Sequence, residues 1–316
     1  MIKEHGQRVF LGGNLGVPFV ASLEQKWDWG VIEVSSFQLE WVLEFQPRVA
    51  VWLNVSEDHL DRYPSFAEYC ATKERLFEAQ AGQDIAILNR EDPRVWGLRN
   101  RVRSRVISFG FGEVPSGVFA SGSEVFWRDG YLEERFSLQR VRIHGVHNVE
   151  NIMAAIAAAK CAGVAAVSIQ KALECFPGLE HRLEFVRERH GVRYYNDSKG
   201  TNVGAVVKSL ASFSGPVVLL AGGVDKGGDY APLQEGVQQK VRRLVLFGAA
   251  KEKIARALGG LTEMVVVDDL GAAVMDAAAH ARTGDVVLLS PACASFDQFH
   301  DYAERGAIFR NLVQQL

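Results

Sequence analysis

The run Asn54-Val55-Ser56-Glu57-Asp58-His59-Leu60-Asp61-Arg62-Tyr63-Pro64 packs carboxylates, an imidazole and a guanidinium into one turn. It follows Val49-Ala50-Val51-Trp52-Leu53, an apolar run that reads as a buried strand. Ligands of open parallel α/β sheets sit outside the carboxyl ends of the strands. Glu, Asp and His gathered at such an end suit a metal or a phosphate-bearing substrate; a solvated loop followed by a helix cap fits the same residues. Glu33 interrupts a second apolar run, Gly30-Val31-Ile32-Glu33-Val34. In a central strand its carboxylate is costly unless paired or metal-bound, and on an edge strand it simply faces water. If the two strands are neighbours, Glu33 and His59 form an edge fit for a divalent cation. Lys199 and Lys226 stand in glycine-flanked turns after predicted strands. There, backbone N–H groups and a cation can meet an oxyanion or a carboxylate, although a surface lysine is the ordinary alternative. Asp197, two residues before Lys199, suits a ribose or an amine. Asn148 and Asn151, three apart at a predicted helix start, share one face. They can meet an anion or a polar ring, or merely cap the helix. Lys73, on a helix face, reads by itself as solvated.

The elements that position these residues alternate strand and helix. In the first half, strands are predicted at 9–11, 30–34, 49–53, 84–89 and 102–109, with helices over about 18–25 and 66–79. The second of these helices opens on Ser65 with Glu68 as a capping box. Residues 110–143 change to short alternating runs with glycine turns, which suggests antiparallel hairpins. An alanine-rich helix follows Gly145, and Phe176-Pro177-Gly178 is the predicted domain break. The second half is Rossmann-like by pattern: a hairpin, then strands near 216–221, 243–247, 264–267 and 285–290 separated by helices. The fold expected is α/β: a truncated P-loop-type mononucleotide-binding sheet domain over 1–178 and a Rossmann-like domain over 179–316.

Composition narrows the class. The chain has 316 residues, is 48% hydrophobic and 23% charged, and carries a net charge of −3. There is no basic excess to favour nucleic acid and no apolar run near the roughly 18 residues that span a bilayer. The four cysteines are widely spaced without C-x-x-C, which fits a reduced, cytoplasmic protein. The phosphate-cradling G-x-x-x-x-G-K-[ST] is absent, and the chain contains no Gly-Lys dipeptide.

Taken together, Glu33-Val34-Ser35-Ser36-Phe37-Gln38-Leu39-Glu40, the Asn54 run, Gly145-Val146-His147-Asn148-Val149-Glu150-Asn151, His181-Arg182 and Asn196-Asp197-Ser198-Lys199-Gly200-Thr201-Asn202 resemble the Mur ligases. So does Ser290-Pro291-Ala292-Cys293-Ala294-Ser295-Phe296-Asp297-Gln298-Phe299, which with Gly222-Gly223-x-x-Lys226-Gly227 points to the D-glutamate-adding branch. The match is collinear over essentially the whole chain. The Asp-Asn-Pro-Arg of the diaminopimelate-adding relative is absent. A ligase of the folylpolyglutamate-synthase type is not expected to share the Ser-Pro-Ala-Cys-Ala-Ser run.

The resemblance implies ATP and Mg2+ as cofactors and UDP-N-acetylmuramoyl-L-alanine and D-glutamate as substrates, joined through an acyl phosphate by a protein that is a monomer at full length. It implies catalytic and metal-holding roles for Glu33, His59 and Lys73, the last as a carbamate. It assigns Asn148 and Asn151 to adenine, Arg182 and Asp197 to phosphate and ribose, and Asn14 and Ser35 to the UDP-muramoyl substrate. It assigns Lys199, Thr201, Lys226, Ser295 and Phe296 to D-glutamate. The family's UDP-binding domain and P-loop have no counterpart in these residues. The chain alone is therefore expected not to make the amide, and a sheet without its central strand is expected to expose apolar surface. A non-catalytic binding or interaction module derived from such a ligase is the alternative reading.

Overall fold

The computed structural model describes residues 1–143 and 145–316. It divides into two compact units. The first holds Met1–Val55, Ser65–His144 and Asn148–Pro177; the second holds Ser56–Pro64, Gly145–His147 and Gly178–Leu316.

The first unit contains β1 (Val9–Gly13), β2 (Trp29–Glu33), α1 (Ser36–Leu39), β3 (Val49–Trp52), α2 (Phe66–Glu74), β4 (Ile85–Asn89), α3 (Pro93–Trp96), β5 (Arg105–Phe111), β6 (Ser116–Ser121), β7 (Glu124–Asp129) and β8 (Leu132–Ser137). Then come α4 (Val146–Cys161), whose first residues group with the second unit, and α5 (Ala166–Cys175). The main sheet has the order β3-β4-β5-β6-β7-β8. Its first four strands are parallel and its last three antiparallel, so the hairpins expected after residue 110 are present. Ile87, Ile107, Phe109, Val125 and Phe136 meet Ile152, Met153 and Ile156 of α4 on one face. Ala50, Trp52 and Leu88 meet Phe77, Val95 and Leu98 on the other. Strands buried on both faces need such double cover.

Here the structure departs from the sequence reading in two places. β2 pairs in parallel with β1 alone, in a separate two-stranded sheet. It is therefore not a neighbour of β3, and it is not a buried central strand: Val31 and Glu33 are exposed. The desolvation cost inferred for Glu33 does not arise at such an edge. The helix expected over 18–25 is a short 3-10 helix, Phe19–Glu24, with no buried residue. Phe19 meets the rings of Phe10 and Phe45 at 6.3 and 6.4 Å between centroids, but with no residue buried so short a segment gains little from a full α-turn. Trp41 and Leu43, in the segment after α1, are 81% and 91% exposed.

The second unit contains β9 (Glu184–Arg189), β10 (Val192–Asn196), α6 (Val203–Ala211), β11 (Val217–Gly222), α7 (Gln234–Lys240), β12 (Val241–Phe247), α8 (Lys251–Leu258), β13 (Glu263–Val266), α9 (Leu270–His280), β14 (Val286–Leu289) and α10 (Tyr302–Gln315). The sheet order is β13-β12-β11-β14-β10-β9, parallel except for β9. Side chains of β11 alternate between two cores. Leu219 and Ala221 pack with α6, α7 and α8, while Val218 and Leu220 pack with α9 and α10. Every residue of β11 and β14 is buried, as a parallel sheet with helices on both faces requires.

Candidate functional site at the strand ends of the second unit

Three loops leave the carboxyl ends of β10, β11 and β14, which are adjacent in the sheet order. Backbone hydrogen bonds tie them together. Gly222 N donates to Pro291 O at 2.9 Å and Ala292 N to Gly200 O at 2.9 Å. Val224 and Ala294 exchange a pair of bonds at 2.8 and 3.0 Å. Two caps fix where the loops end. Asn202 Oδ1 accepts from Ala205 N at the start of α6, and Asp301 Oδ1 accepts from Glu304 N at the start of α10. The motif residues after β10 and β14 thus stand on turns held at both ends, while the loop after β11 is tied by the Val224–Ala294 pair.

A cleft of about 330 Å3 opens beside these loops, lined by Asp58, His59, Thr201, Asp225, Lys226 and Tyr230 among others. Lys226 Nζ lies 3.7 Å from Asp58 Oδ1, and Asn202 Nδ2 donates to Asp58 Oδ2 at 3.3 Å. Asp58 Oδ1 also accepts from the His59 N–H at 3.0 Å. His59 adopts φ 56°, a left-handed conformation uncommon outside glycine. The floor is a second network. Asp225 accepts from Tyr230 Oη at 2.9 Å and from Lys253 Nζ at 2.6 Å. Burial pushes the Asp225 carboxyl up, but the Lys253 ammonium and the Tyr230 hydroxyl outweigh it and hold the group below its usual range. The buried Tyr230 hydroxyl also meets Cys293 Sγ at 3.1 Å; burial raises that thiol to about 11, so it stays protonated.

The cleft brings together His59, Thr201 and Lys226 of the residues singled out in the sequence. Other members of that set lie elsewhere in the unit. Lys199 Nζ sits 3.9 Å from the centroid of the Tyr302 ring. Ser295 is buried and Phe296 exposed. Arg182 is exposed, whereas Asp197 is buried. Asp197 Oδ2 accepts from Ser209 Oγ and Ser290 Oγ, both at 2.7 Å, and its Oδ1 accepts from Leu183 N at 3.3 Å. In the first unit, Glu33 and Asn14 are exposed; Asn14 N donates to Glu33 O. The Ser35 hydroxyl accepts from Gln38 N in a capping box that opens α1. Lys73 Nζ lies 5.0 Å from the Tyr69 ring centroid. Asn151 Nδ2 reaches Asn148 Oδ1 at 3.4 Å across one turn of α4. Asp58, Asp225, Tyr230 and Lys253 were not singled out. For Asp58 and Asp225 a signal existed, since each directly precedes a residue that was.

Burial raises Asp197 to about 6, against the pull of its two serine hydroxyls, the Leu183 amide and the Arg182 charge. Unfolded, the group ionises near 3.8. Between those values the native state keeps a proton that the unfolded state has lost, so stability falls as pH rises through the window. Asp197→Asn is expected to remove this slope. The stability of the unsubstituted chain relative to the variant should drop by on the order of 2–3 kcal/mol between pH 4 and pH 7. Urea unfolding of both proteins across that range measures it, and a flat difference contradicts the assignment.

Comparison with known proteins defines the class first. Residues 12–159 match the Mur ligase middle domain and residues 181–293 the Mur ligase glutamate ligase domain. Solved structures agree on the fold. A pseudomurein peptide ligase type C from Methanothermus fervidus superposes with a TM-score of 0.74 at 15% identity, over 99% of this chain and 74% of that one. The MurF ligase of Thermotoga maritima, solved in complex with ADP, gives 0.71 at 19% identity, over 100% and 76%. Among curated relatives, the UDP-N-acetylmuramoylalanine–D-glutamate ligase of Geobacter metallireducens is 50% identical over 314 residues, covering 98% of this chain and 69% of its own length. The protein of that name from Syntrophotalea carbinolica is 46% identical over 313 residues, covering 98% and 70%. The chain belongs to the Mur ligase family, in its UDP-N-acetylmuramoylalanine–D-glutamate ligase branch, as the motif resemblance implied.

Proposed function

We propose that the chain serves the ATP-dependent joining of D-glutamate to UDP-N-acetylmuramoyl-L-alanine, a step of peptidoglycan precursor synthesis that takes place in the cytoplasm. Mur ligases are ATP-dependent amide ligases. In such a reaction the γ-phosphoryl of ATP passes to the substrate carboxylate, giving an acyl phosphate and ADP. The amine of the amino acid then attacks the acyl carbon and loses a proton, and the C–O bond to phosphate breaks. The observation that carries this reading is the cleft that gathers Lys226, Thr201, Asp58 and His59 beside the carboxyl ends of the strands.

Within it, Lys226 suits a carboxylate of the incoming amino acid and Asp58 its ammonium. His59, beside Asp58, is the group that takes the amine proton. Lys199, Ser295 and Phe296, outside the lining of the cleft, are given to D-glutamate by the resemblance. Asn148, Asn151, Arg182 and Asp197 are the residues for ATP, and Asn14 and Ser35 those for the UDP-linked substrate. Mg2+ is implied through Glu33, His59 and a carbamylated Lys73. Among the described residues no group of three or more His, Cys, Asp or Glu is placed to hold a metal, so no step is derived through one. No helix among the described residues is long and apolar enough to cross a membrane.

Titration calorimetry tests the pocket. D-glutamate is expected to bind in the range of about 0.1–1 mM, and L-glutamate at least about tenfold more weakly, since inverting the α-carbon cannot keep carboxylate and ammonium on both Lys226 and Asp58. Absence of heat with D-glutamate at several times that range, or equal affinity for the two enantiomers, sinks the reading.

A further inference from the structure

The start of α10 presses on the end of β10, the loop after it and His181. Ser198 Oγ donates to Tyr302 O at 2.8 Å, and Asn196 Nδ2 donates to Gly306 O at 3.1 Å. Gly306 lies so close to His181 that a Cβ there would be 2.2 Å from the imidazole Nδ1. At the centre of this contact is Arg305, at 0% exposure the largest fully buried side chain among the described residues. Its Nε donates to Ser198 Oγ at 2.9 Å and its Nη2 to Ser198 O at 2.8 Å. The other side of the fork reaches the loop after β14: Cys293 O at 3.3 Å from both Nη1 and Nη2, and Ala294 O at 3.4 Å from Nη1. Burial draws the guanidinium down to about 10, so it stays charged at neutral pH.

A buried cation is a poor means of holding a helix on a sheet, because a well-packed apolar side chain of similar volume does as well or better. What an apolar side chain cannot do is bond two loops at once. Past the strand ends the ladder thins to the Ala292 N–Gly200 O bond and the Ser290–Asp197 contact between these loops, and the Ser198 and Cys293 carbonyls take their donors from the fork. The planar fork supplies them in a fixed geometry that a lysine cannot reproduce. Ser198 is flanked by Lys199, and Ala294 by Ser295, both on the proposed glutamate side.

We propose that Arg305 is a positioning residue, a buried clamp that sets the loop after β10 against the loop after β14 and so preforms the pocket for the acidic amino acid. The part concerning the ligand rests on the function proposed above; the clamp itself does not. Hydrogen exchange of the chain read by mass spectrometry or NMR tests the clamp directly. In Arg305→Lys and Arg305→Met, amides of residues 198–201 and of 293–295 are expected to exchange at least about tenfold faster together, while β11 and β12 keep their protection. Faster exchange in one loop alone, equal loss across the whole unit, or no change overturns the clamp.

Calorimetry then addresses the ligand. D-glutamate affinity is expected to fall at least about tenfold in both variants, and added guanidinium ion, but not sodium at the same ionic strength, is expected to restore it in Arg305→Ala. Unchanged affinity in the variants overturns the link from clamp to pocket. Failure of the unsubstituted chain to bind D-glutamate counts against the proposed function instead, and leaves the exchange result to decide the clamp.

Discussion

Gly222→Ala is expected to lower the stability of the second unit by about 4 kcal/mol or more, among the largest effects a single methyl group can have. Gly222 ends β11 with φ 134°, a region that residues with a Cβ rarely enter. A Cβ at this position would lie 1.8 Å from the carbonyl oxygen of Phe247 in the neighbouring strand. Neither partner can yield cheaply. Phe247 is the last residue of β12, paired in register with Gly222, and the Gly222 N–H is committed to Pro291 O. Relief of the clash therefore requires separating β11 from β12 or breaking the tie between two of the three site loops. Gly228→Ala is the control. It lies in the same loop, its φ is outside the left-handed region and a Cβ would meet open space. That substitution should be neutral or stabilise by a few tenths of a kcal/mol through the unfolded state. Urea unfolding of the two variants decides. A loss under about 1 kcal/mol for Gly222→Ala would mean that the strand end adapts, and that the glycine is not what fixes the loop.

Much of the second unit was legible because β11 and β14 are uninterrupted apolar runs and the turns after β10 and β11 carry glycine, lysine and aspartate. A doubly covered parallel sheet produces that pattern, and ligands gather at its strand ends. The first unit was less legible at Glu33. An apolar run with one carboxylate reads as a central strand, yet β2 has a single strand partner and its outer edge is open. Periodicity reports what a strand is built to face, not whether a neighbour is present. The candidate cleft was legible where its lining comes from motif turns, since His59 and Lys226, each picked from its turn, both line it. It was not legible where a role depends on contacts across the fold. Arg305 reads as one more charged residue on a C-terminal helix, and nothing in its own segment shows that it is buried beneath Ser198 and Cys293. Tyr230 and Lys253 meet at Asp225 from separate elements, so no local pattern joins them. Ser35 shows the converse: a residue picked by motif has its hydroxyl engaged in a capping box, a demand that any helix start can make.

Lys226→Ala is expected to weaken D-glutamate binding about 100-fold, close to 2.7 kcal/mol, with little change in the stability of the fold. Its side chain is 31% exposed and its ammonium lies 3.7 Å from Asp58, too long for a strong charge-assisted hydrogen bond. A half-buried pair at this length contributes on the order of 1 kcal/mol to stability. A bound carboxylate offers the same ammonium a shorter contact in a cleft that the ligand itself closes to water, where a charged hydrogen bond is worth more. Charge and shape can be separated by Lys226→Arg. It keeps the cation but spreads it over a planar fork, so it should recover part of the affinity and not all of it. Salt gives a further check, because the Asp58–Lys226 region is open to solvent and its charges are screened over about 10 Å at 0.1 M ionic strength. Raising ionic strength should weaken D-glutamate binding to the unsubstituted chain several-fold and leave the residual binding of Lys226→Ala nearly flat. If Lys226→Ala binds D-glutamate as tightly as the unsubstituted chain, the cleft beside Asp58 does not receive the carboxylate, and Lys199, paired with Tyr302 3.9 Å away, becomes the cation to test in its place.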